Sequence, residues 1–289
     1  MIIYVSSACS SKKNIREAIE ELAQLGIKNI ELTGGTIYYQ DYEKDILRLK
    51  EEYNLNYLVH NYFPPPQESF VLNLASLNND IYQKSLNHCL KAISLSKKLG
   101  AKKLGFHAGF LIDVSVREIG KKITASQLFD RKQSLSRFRD AWLRLQEKAE
   151  PYLILYLENN VLSYSNYQSF NQVNPLLMTN YEGYLELKEI MGFNLLLDVA
   201  HLKVSCNSLG LNFEDELRKM LPLSNYLHLS DNDGKHDQNK GFNKNSELLQ
   251  VLKQYDFDGK TITLEIYNNA NNINQDYLIV AEALKVNED

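Results

Sequence analysis

Acidic and histidine side chains directly follow, or end, the short apolar stretches of this sequence. They are Glu31, His60, His107, Glu158, Asp198, His201, His228 and Glu265. Four of the six histidines belong to this set, and only His88 and His236 lie outside it. Carboxylate and imidazole groups transfer protons and bind divalent metal ions. One such residue alone is more often a satisfied polar group, so the prediction depends on the eight occurring together.

A metal centre is the simplest chemistry for this set. Burying several carboxylates together is costly, because like charges repel and desolvation adds to the cost. A divalent cation offsets both effects. Carboxylate oxygen combined with imidazole nitrogen suits Mn²⁺, Mg²⁺, Co²⁺ or Zn²⁺. We therefore expect one of these ions as the cofactor.

Two local motifs strengthen this expectation. Asp198-Val-Ala-His201 places a carboxylate at the tip of one apolar stretch and an imidazole one helical turn later. His228-Leu-Ser-Asp231-Asn-Asp233-Gly places a histidine within the next stretch and an acidic, turn-forming loop after it. Each motif is frequent by chance. The two motifs in this order, one strand–helix unit apart, are a more specific indication of a metal centre.

Parallel strands are the elements that would position these residues. Each apolar stretch is a few residues long and rich in Ile, Leu, Val, Tyr or Phe, as fully buried strands are. The predicted strands are Ile2–Val5, Asn29–Leu32, Tyr57–Val59, Lys103–Phe106, Tyr152–Leu157, Asn194–Leu197, Asn225–Leu229 and Thr261–Ile266. Amphipathic segments with helical spacing separate them. The predicted helices are Asn14–Leu25, Tyr42–Glu52, Asp80–Leu99, Ser134–Glu150, Asn180–Met191, Phe213–Met220, Ser246–Tyr255 and Asp276–Val286.

Eight strand–helix units in a chain of this length indicate an α/β fold, a (β/α)8 TIM barrel, with residues 1–289 as a single domain. An open doubly wound sheet would usually carry a glycine-rich first turn, whereas Ser-Ser-Ala-Cys follows the first strand here. In a barrel the C-terminal ends of all strands face one mouth, so the eight candidate residues would converge there. The long connections Ala108–Arg131 and Asn159–Thr179 are expected to be loops.

Composition excludes several other classes of protein. The 289 residues are 44% apolar and 24% charged, the balance of a soluble globular protein. The net charge of −4 gives no broad electrostatic footprint for nucleic acid, and no apolar stretch could span a bilayer. Three scattered cysteines and an N-terminus without a signal-peptide pattern predict a reducing, cytoplasmic location.

The sequence resembles the xylose isomerase-like TIM-barrel superfamily, which contains sugar and sugar-phosphate isomerases and epimerases and also endonuclease IV. The resemblance covers nearly the whole chain. It is carried by Tyr-Leu-Glu158-Asn-Asn, Leu-Leu-Asp198-Val-Ala-His201, Leu-His228-Leu-Ser-Asp-Asn-Asp-Gly and Thr-Leu-Glu265-Ile. For the isomerase branch, the resemblance implies that one divalent metal ion is bound by Glu158, Asp198, His228 and Glu265. It also implies that the two glutamates act as catalytic acid and base.

The isomerase branch implies a small sugar or sugar-phosphate substrate, converted by proton transfer next to a carbonyl through a metal-stabilised enediolate. The expected substrate-binding residues are His201, His60, His107 and Lys235. Lys235 is included because loops after the seventh and eighth strands often bind phosphate in barrels. Isomerase and epimerase both stay open at this point, as does phosphorylation of the substrate. By analogy with such barrels, a homo-oligomer is also expected.

The endonuclease branch gives the alternative function, a zinc-dependent phosphodiesterase acting at abasic sites. There, further metal ions are bound by residues that match His60, His107, His201 and Asp237. This sequence departs from that pattern at Asp237-Gln-Asn239, where an amide replaces an imidazole. Asparagine is a poor zinc ligand beside histidine, which puts the third metal of that branch in doubt. A non-catalytic barrel is ranked last, because the acidic residues at the strand ends are present.

Overall fold

Eight parallel strands pair in chain order, and the last pairs with the first to close a barrel. This is a computed structural model, and it describes residues 1–284. The strands are β1 (Ile2–Ser6), β2 (Asn29–Leu32), β3 (Asn56–His60), β4 (Lys103–His107), β5 (Ile154–Glu158), β6 (Asn194–Asp198), β7 (Ser224–Leu229) and β8 (Thr261–Leu264). The predicted (β/α)8 barrel is confirmed.

Helices surround this barrel on the outside. They are α1 (Ile15–Gln24), α2 (Tyr42–Tyr53), α3 (Asn79–Leu99), α4 (Arg131–Ala149), α5 (Tyr164–Ser169), α6 (Tyr181–Ile190), α7 (Val199–Leu209), α8 (Phe213–Met220), α9 (Glu247–Leu252) and α10 (Ile273–Leu284). The outward-facing strand residues pack with the buried helix faces in one large apolar core. Within residues 1–284, no helix is both long enough and apolar enough to cross a membrane.

The structure adds two helices that the sequence patterns did not predict. Helix α7 begins directly after β6, and its residues are buried on most sides, so it lacks the polar stripe by which a surface helix is recognised. Helix α5 lies inside the connection predicted as a loop, and its short, polar sequence gives no apolar periodicity. The last predicted helix extended to Val286, whose position is outside the described residues.

Side chains that point into the barrel form two layers. Strand residues alternate between the outside and the inside with a period of two. The lower inner layer is a separate apolar cluster made of Tyr4, Leu58, Tyr156, Leu196 and Tyr226. Two residues further along β3, β5, β6 and β7 come His60, Glu158, Asp198 and His228. The alternation therefore directs all four of these polar side chains into the upper, C-terminal end of the same interior.

Gly105 on β4 gives this interior the space it needs. A Cβ atom at this position would lie 2.6 Å from Leu196 Cδ2 and 2.8 Å from His60 Nδ1. Both distances are shorter than any real Cβ contact, so the absence of a side chain lets His60 approach the barrel wall.

We predict that Gly105→Ala lowers the free energy of unfolding by about 1–3 kcal/mol, because overpacking shifts Leu196 or His60. Gly192→Ala is the matched control, since its Cβ would meet no described atom within 4 Å. The control should change stability by less than about 0.5 kcal/mol. Urea denaturation of both variants measures the difference, and equal stability of the two would contradict the packing account.

Candidate metal centre

Glu158, at the end of β5, is fully buried at the centre of the upper layer. Its Oε2 atom lies 3.0 Å from His60 Nε2 and 2.9 Å from His107 Nε2. Its Oε1 atom lies 3.3 Å from His228 Nδ1 and 3.7 Å from His201 Nδ1. The four histidines that the sequence placed at strand ends thus surround one carboxylate.

Glu158 shares a compact group of ligand atoms with three further residues. One nitrogen or oxygen atom from each of Glu158, Asp198, His228 and Glu265 lies within 4.8 Å of the others. His228 Nδ1 is 2.9 Å from Glu265 Oε2. Asp198 caps helix α7, where its Oδ1 accepts a hydrogen bond from the backbone N–H of His201 at 2.7 Å. The geometry brings together the four residues that the sequence resemblance implied as ligands of one ion.

A second group lies on the other side of Glu158. It comprises one ligand atom each from His60, His107 and Glu158, again within 4.8 Å of one another. The side chain of His107 is 27% exposed, so this group is open toward the mouth. Glu31, His60 and His228 form a third such group below these two. Glu158 belongs to the first two groups, and its two oxygens could serve two neighbouring cations.

The donor set fits a divalent cation. Among residues 1–284, both carboxylate oxygens of Glu158 and the Oδ2 atom of Asp198 are buried and accept no hydrogen bond. The Nε2 atoms of His60 and His107 lie within 3.0 Å of Glu158 Oε2, but neither ring directs an N–H at that oxygen. Apart from the hydrogen bond between His228 Nδ1 and Glu265 Oε2, these ligand atoms lie close together without bonding to one another, as they would around a shared ion. Unpaired buried carboxylates are otherwise strongly destabilising.

The charges of these residues shift one another's pKa values. Burial alone would raise the pKa of Glu158, but the imidazoles of His107 and His60 hold it well below its ordinary value. Burial would lower the pKa of His228, but Glu31, Glu158 and Glu265 raise it well above the ordinary value. Burial raises the pKa of Asp198 to about 7. These shifts favour a protonated His228 beside an ionised Glu158, whereas Asp198 takes up a proton near neutral pH.

The other predicted site residues lie around this centre. His201 donates from Nδ1 to the backbone oxygen of Asn159 at 2.9 Å, and its Nε2 lies 3.4 Å from Asp237 Oδ2. Asn239 donates from Nδ2 to Asp237 Oδ1 at 3.4 Å, so its amide faces this carboxylate. His201 and Asp237 are thus paired with each other, outside the three groups above. The side chain of Lys235 is exposed on the loop after β7.

Two residues of the site were missed by sequence reasoning. The side chain of Asn159 spans β5 and β6, accepting from the backbone N–H of Asp198 at 2.8 Å and donating to its carbonyl at 2.9 Å. The hydroxyl of Tyr267 donates to Glu265 Oε1 at 3.0 Å. Both residues are within two positions of a predicted glutamate, which is the signal that could have identified them.

Solved structures similar to this one include several sugar epimerases. A D-tagatose 3-epimerase-like protein superposes with a TM-score of 0.72 at 19% identity, over 99% of this chain and 97% of that chain. D-Psicose 3-epimerase from Clostridium cellulolyticum gives a TM-score of 0.59 at 14% identity, over 98% and 96% of the two chains. The TTHB071 protein from Thermus thermophilus, whose crystals were soaked with ZnCl2, gives a TM-score of 0.63 at 18% identity. The superposition covers 98% of this chain and 99% of that chain.

At these identities the structural similarity establishes the fold alone. No curated protein matches the chain significantly by sequence. The family model described as xylose isomerase-like TIM barrel matches residues 19–285, which is most of the chain. The protein therefore belongs to the xylose isomerase-like TIM barrel family.

Proposed function

We propose that the protein is a divalent-metal-dependent epimerase or isomerase of a small sugar. The observation that carries the proposal is the placement of Glu158 and Glu265 against one atom, His228 Nδ1, at 3.3 and 2.9 Å. Epimerisation removes a proton from one face of a carbon next to a carbonyl and returns a proton to the other face. Carboxylates at the ends of β5 and β8, three strands apart in the barrel, can approach a substrate from different sides.

Glu158, Asp198, His228 and Glu265 would hold the cation. A bound ion would supply Lewis acidity next to the carbonyl of the substrate. Three carboxylates and one imidazole suit Mn²⁺ or Mg²⁺, and Co²⁺ is compatible with the same donors. The neighbouring group of His60, His107 and Glu158 contains two imidazoles and is better suited to Zn²⁺.

The two glutamates are in different surroundings, which assigns them different proposed roles. Glu158 is fully buried, and its neighbouring imidazoles keep its pKa low, so it remains in the ionised form that a general base requires. The side chain of Glu265 is 8% exposed. Its Oε1 atom accepts a hydrogen bond from the hydroxyl of Tyr267. Tyr267 is 44% exposed. Glu265 therefore lies closer to solvent than Glu158 does, and we assign to it the return of a proton to the substrate.

The loops around the mouth fit a neutral substrate. The connection from residue 159 to residue 180 contains no charged residue. It therefore provides no charge for a phosphate. In the loop after β8, the backbone N–H groups of Tyr267, Asn268 and Asn269 all donate to backbone carbonyls. These groups are not free to bind a phosphate, so an unphosphorylated sugar is the better fit.

The structural neighbours support the same substrate class. Those compared above include proteins named as D-tagatose 3-epimerase-like and D-psicose 3-epimerase, and an L-ribulose 3-epimerase also superposes over 98% of this chain. All three names refer to ketoses with a 3-epimerase activity. A ketose is accordingly the first substrate class to test.

A zinc-dependent phosphodiesterase acting at abasic sites is the second candidate. The group of His60, His107 and Glu158 favours it, because adjacent metal ions can stabilise attacking and leaving oxygens of a phosphate ester. The charge of the mouth disfavours it, since duplex binding depends on several lysine and arginine contacts to phosphates. Apart from Glu265, the loops that follow the strands carry equal numbers of basic and acidic residues.

We predict that the metal-loaded protein epimerises a ketose at C3 and incorporates deuterium there in D2O, because the transferred proton exchanges on a glutamate. D-Tagatose, D-psicose, D-fructose and L-ribulose form the first panel. Glu158→Gln and Glu265→Gln should each lower kcat by about 10²-fold or more. Glu189→Gln, exposed on α6, is the control and should keep full activity. Full activity in both site variants would overturn the proposal, as would cleavage of abasic-site DNA without any epimerisation.

Metal binding should release protons at neutral pH. Nearby carboxylates raise the pKa of His60, His201 and His228 above the ordinary value, so these imidazoles bind protons that a cation must displace. The affinity for Mn²⁺ or Zn²⁺ should therefore rise from about pH 6 to about pH 8. A pH indicator in weakly buffered solution measures the release directly. Binding without proton release, with an affinity independent of pH, would contradict this charge assignment.

A further inference from the structure

We propose that Glu31 is a positioning residue of the metal centre: with a cation bound, it would accept the Nε2–H of His228 and so direct Nδ1 of that imidazole toward the cation. The inference rests on the metal-binding part of the proposed function and is independent of the substrate. Sequence reasoning grouped Glu31 with the other strand-end carboxylates and gave it no separate role.

The contacts of His228 define the arrangement. Glu31 lies near the C-terminal end of β2 and is fully buried. Its Oε1 atom lies 2.9 Å from Nε2 of His228, and among residues 1–284 neither atom has a hydrogen-bond partner, so no other group competes for this contact. The other ring nitrogen, Nδ1, faces Glu265 Oε2 at 2.9 Å and Glu158 Oε1 at 3.3 Å. The imidazole therefore bridges Glu31 on one side and the proposed ligand group on the other.

Glu31 is itself held in place by two hydroxyl groups. Its Oε2 atom accepts hydrogen bonds from Thr263 Oγ1 at 2.7 Å and from the hydroxyl of Tyr226. Tyr226 precedes His228 by two residues on β7, so both side chains point into the barrel. With Oε2 occupied by two donors, Oε1 is left to receive the imidazole.

A bound cation would require one tautomer of the imidazole. A neutral imidazole carries one N–H, and the nitrogen without it is the one that can bind a metal. Nδ1 hydrogen-bonds Glu265 Oε2 in the structure, and a cation held by Glu158 and Glu265 would take the place of the proton there. The carboxylate of Glu31 beside Nε2 would then stabilise the N–H on that nitrogen and leave Nδ1 as the ligand atom. Such a carboxylate also makes the imidazole a stronger donor, and its loss typically weakens metal binding by about 10–100-fold.

The test is a double-mutant cycle on metal affinity, with Mn²⁺ and Co²⁺ as probes competed against a chelating indicator. Glu31→Gln should lower the affinity about 10-fold or more. In a His228→Gln background the same change should have no further effect, because Glu31 acts through the imidazole. In the Co²⁺ form, Glu31→Gln should also shift the visible absorption bands, which report the donor strength of the ligands.

Thr263→Val is a second variant in case Glu31→Gln folds poorly. It removes one hydrogen bond to Glu31 without burying a new polar group, so a smaller loss of affinity, again dependent on His228, is expected. Glu189→Gln on α6 is the control and should leave affinity and spectra unchanged.

Three results would overturn the inference. One is unchanged affinity in Glu31→Gln. Another is an equal loss with and without His228, which would show a general structural effect. The third is the loss of one bound metal ion per chain in Glu31→Gln, which would show that Glu31 is itself a metal ligand. If the wild-type protein itself bound no metal, the proposed function would fail as well, whereas unchanged binding in Glu31→Gln would leave that function standing.

Discussion

The carboxylate of Glu158 places a negative charge in the interior of a β-barrel, and the surrounding residues are arranged to offset it. Four imidazoles lie within 3.7 Å of its two oxygens. Without them a buried carboxylate would be protonated or would destabilise the fold. The histidines need the carboxylate equally, because burial disfavours an isolated imidazolium. The centre is therefore one electrostatic unit, and its members cannot be assigned energies separately.

The barrel supplies this unit through a simple geometric rule. Inward-pointing residues recur at every second position of a strand, and the lower inner layer is filled by apolar and aromatic side chains that exclude water. The layer above is polar and lies directly below the mouth. Low dielectric beneath and solvent above place the carboxylates where their charges would act most strongly on a cation and on a substrate in the mouth.

Much of this was predictable from the sequence, because strand ends in a (β/α)8 barrel share one mouth. Once eight strands were counted, all eight candidate residues were expected at this mouth, and the family resemblance implied the group of Glu158, Asp198, His228 and Glu265. The sequence could not show that Glu158 is central, since that depends on side-chain directions across the barrel. It also could not show that Glu31 contacts His228, because β2 and β7 are not neighbours in the sheet. His201 and Asp237, which the endonuclease branch implied as further metal ligands, lie 3.4 Å apart, whereas Lys235 is exposed on the same loop as Asp237.

We propose that the buried imidazole and carboxylate groups form a metal centre, and the metal content of the protein is the direct test. Elemental analysis of protein purified without chelator and without metal-affinity resin should find at least one Mn, Mg, Co or Zn ion per chain. This ion should be lost in the Asp198→Asn/His228→Gln variant. A second ion, lost in His60→Gln, would show that the neighbouring group is occupied as well. Absence of stoichiometric metal, even after incubation with these ions, would show that these groups do not form a metal centre.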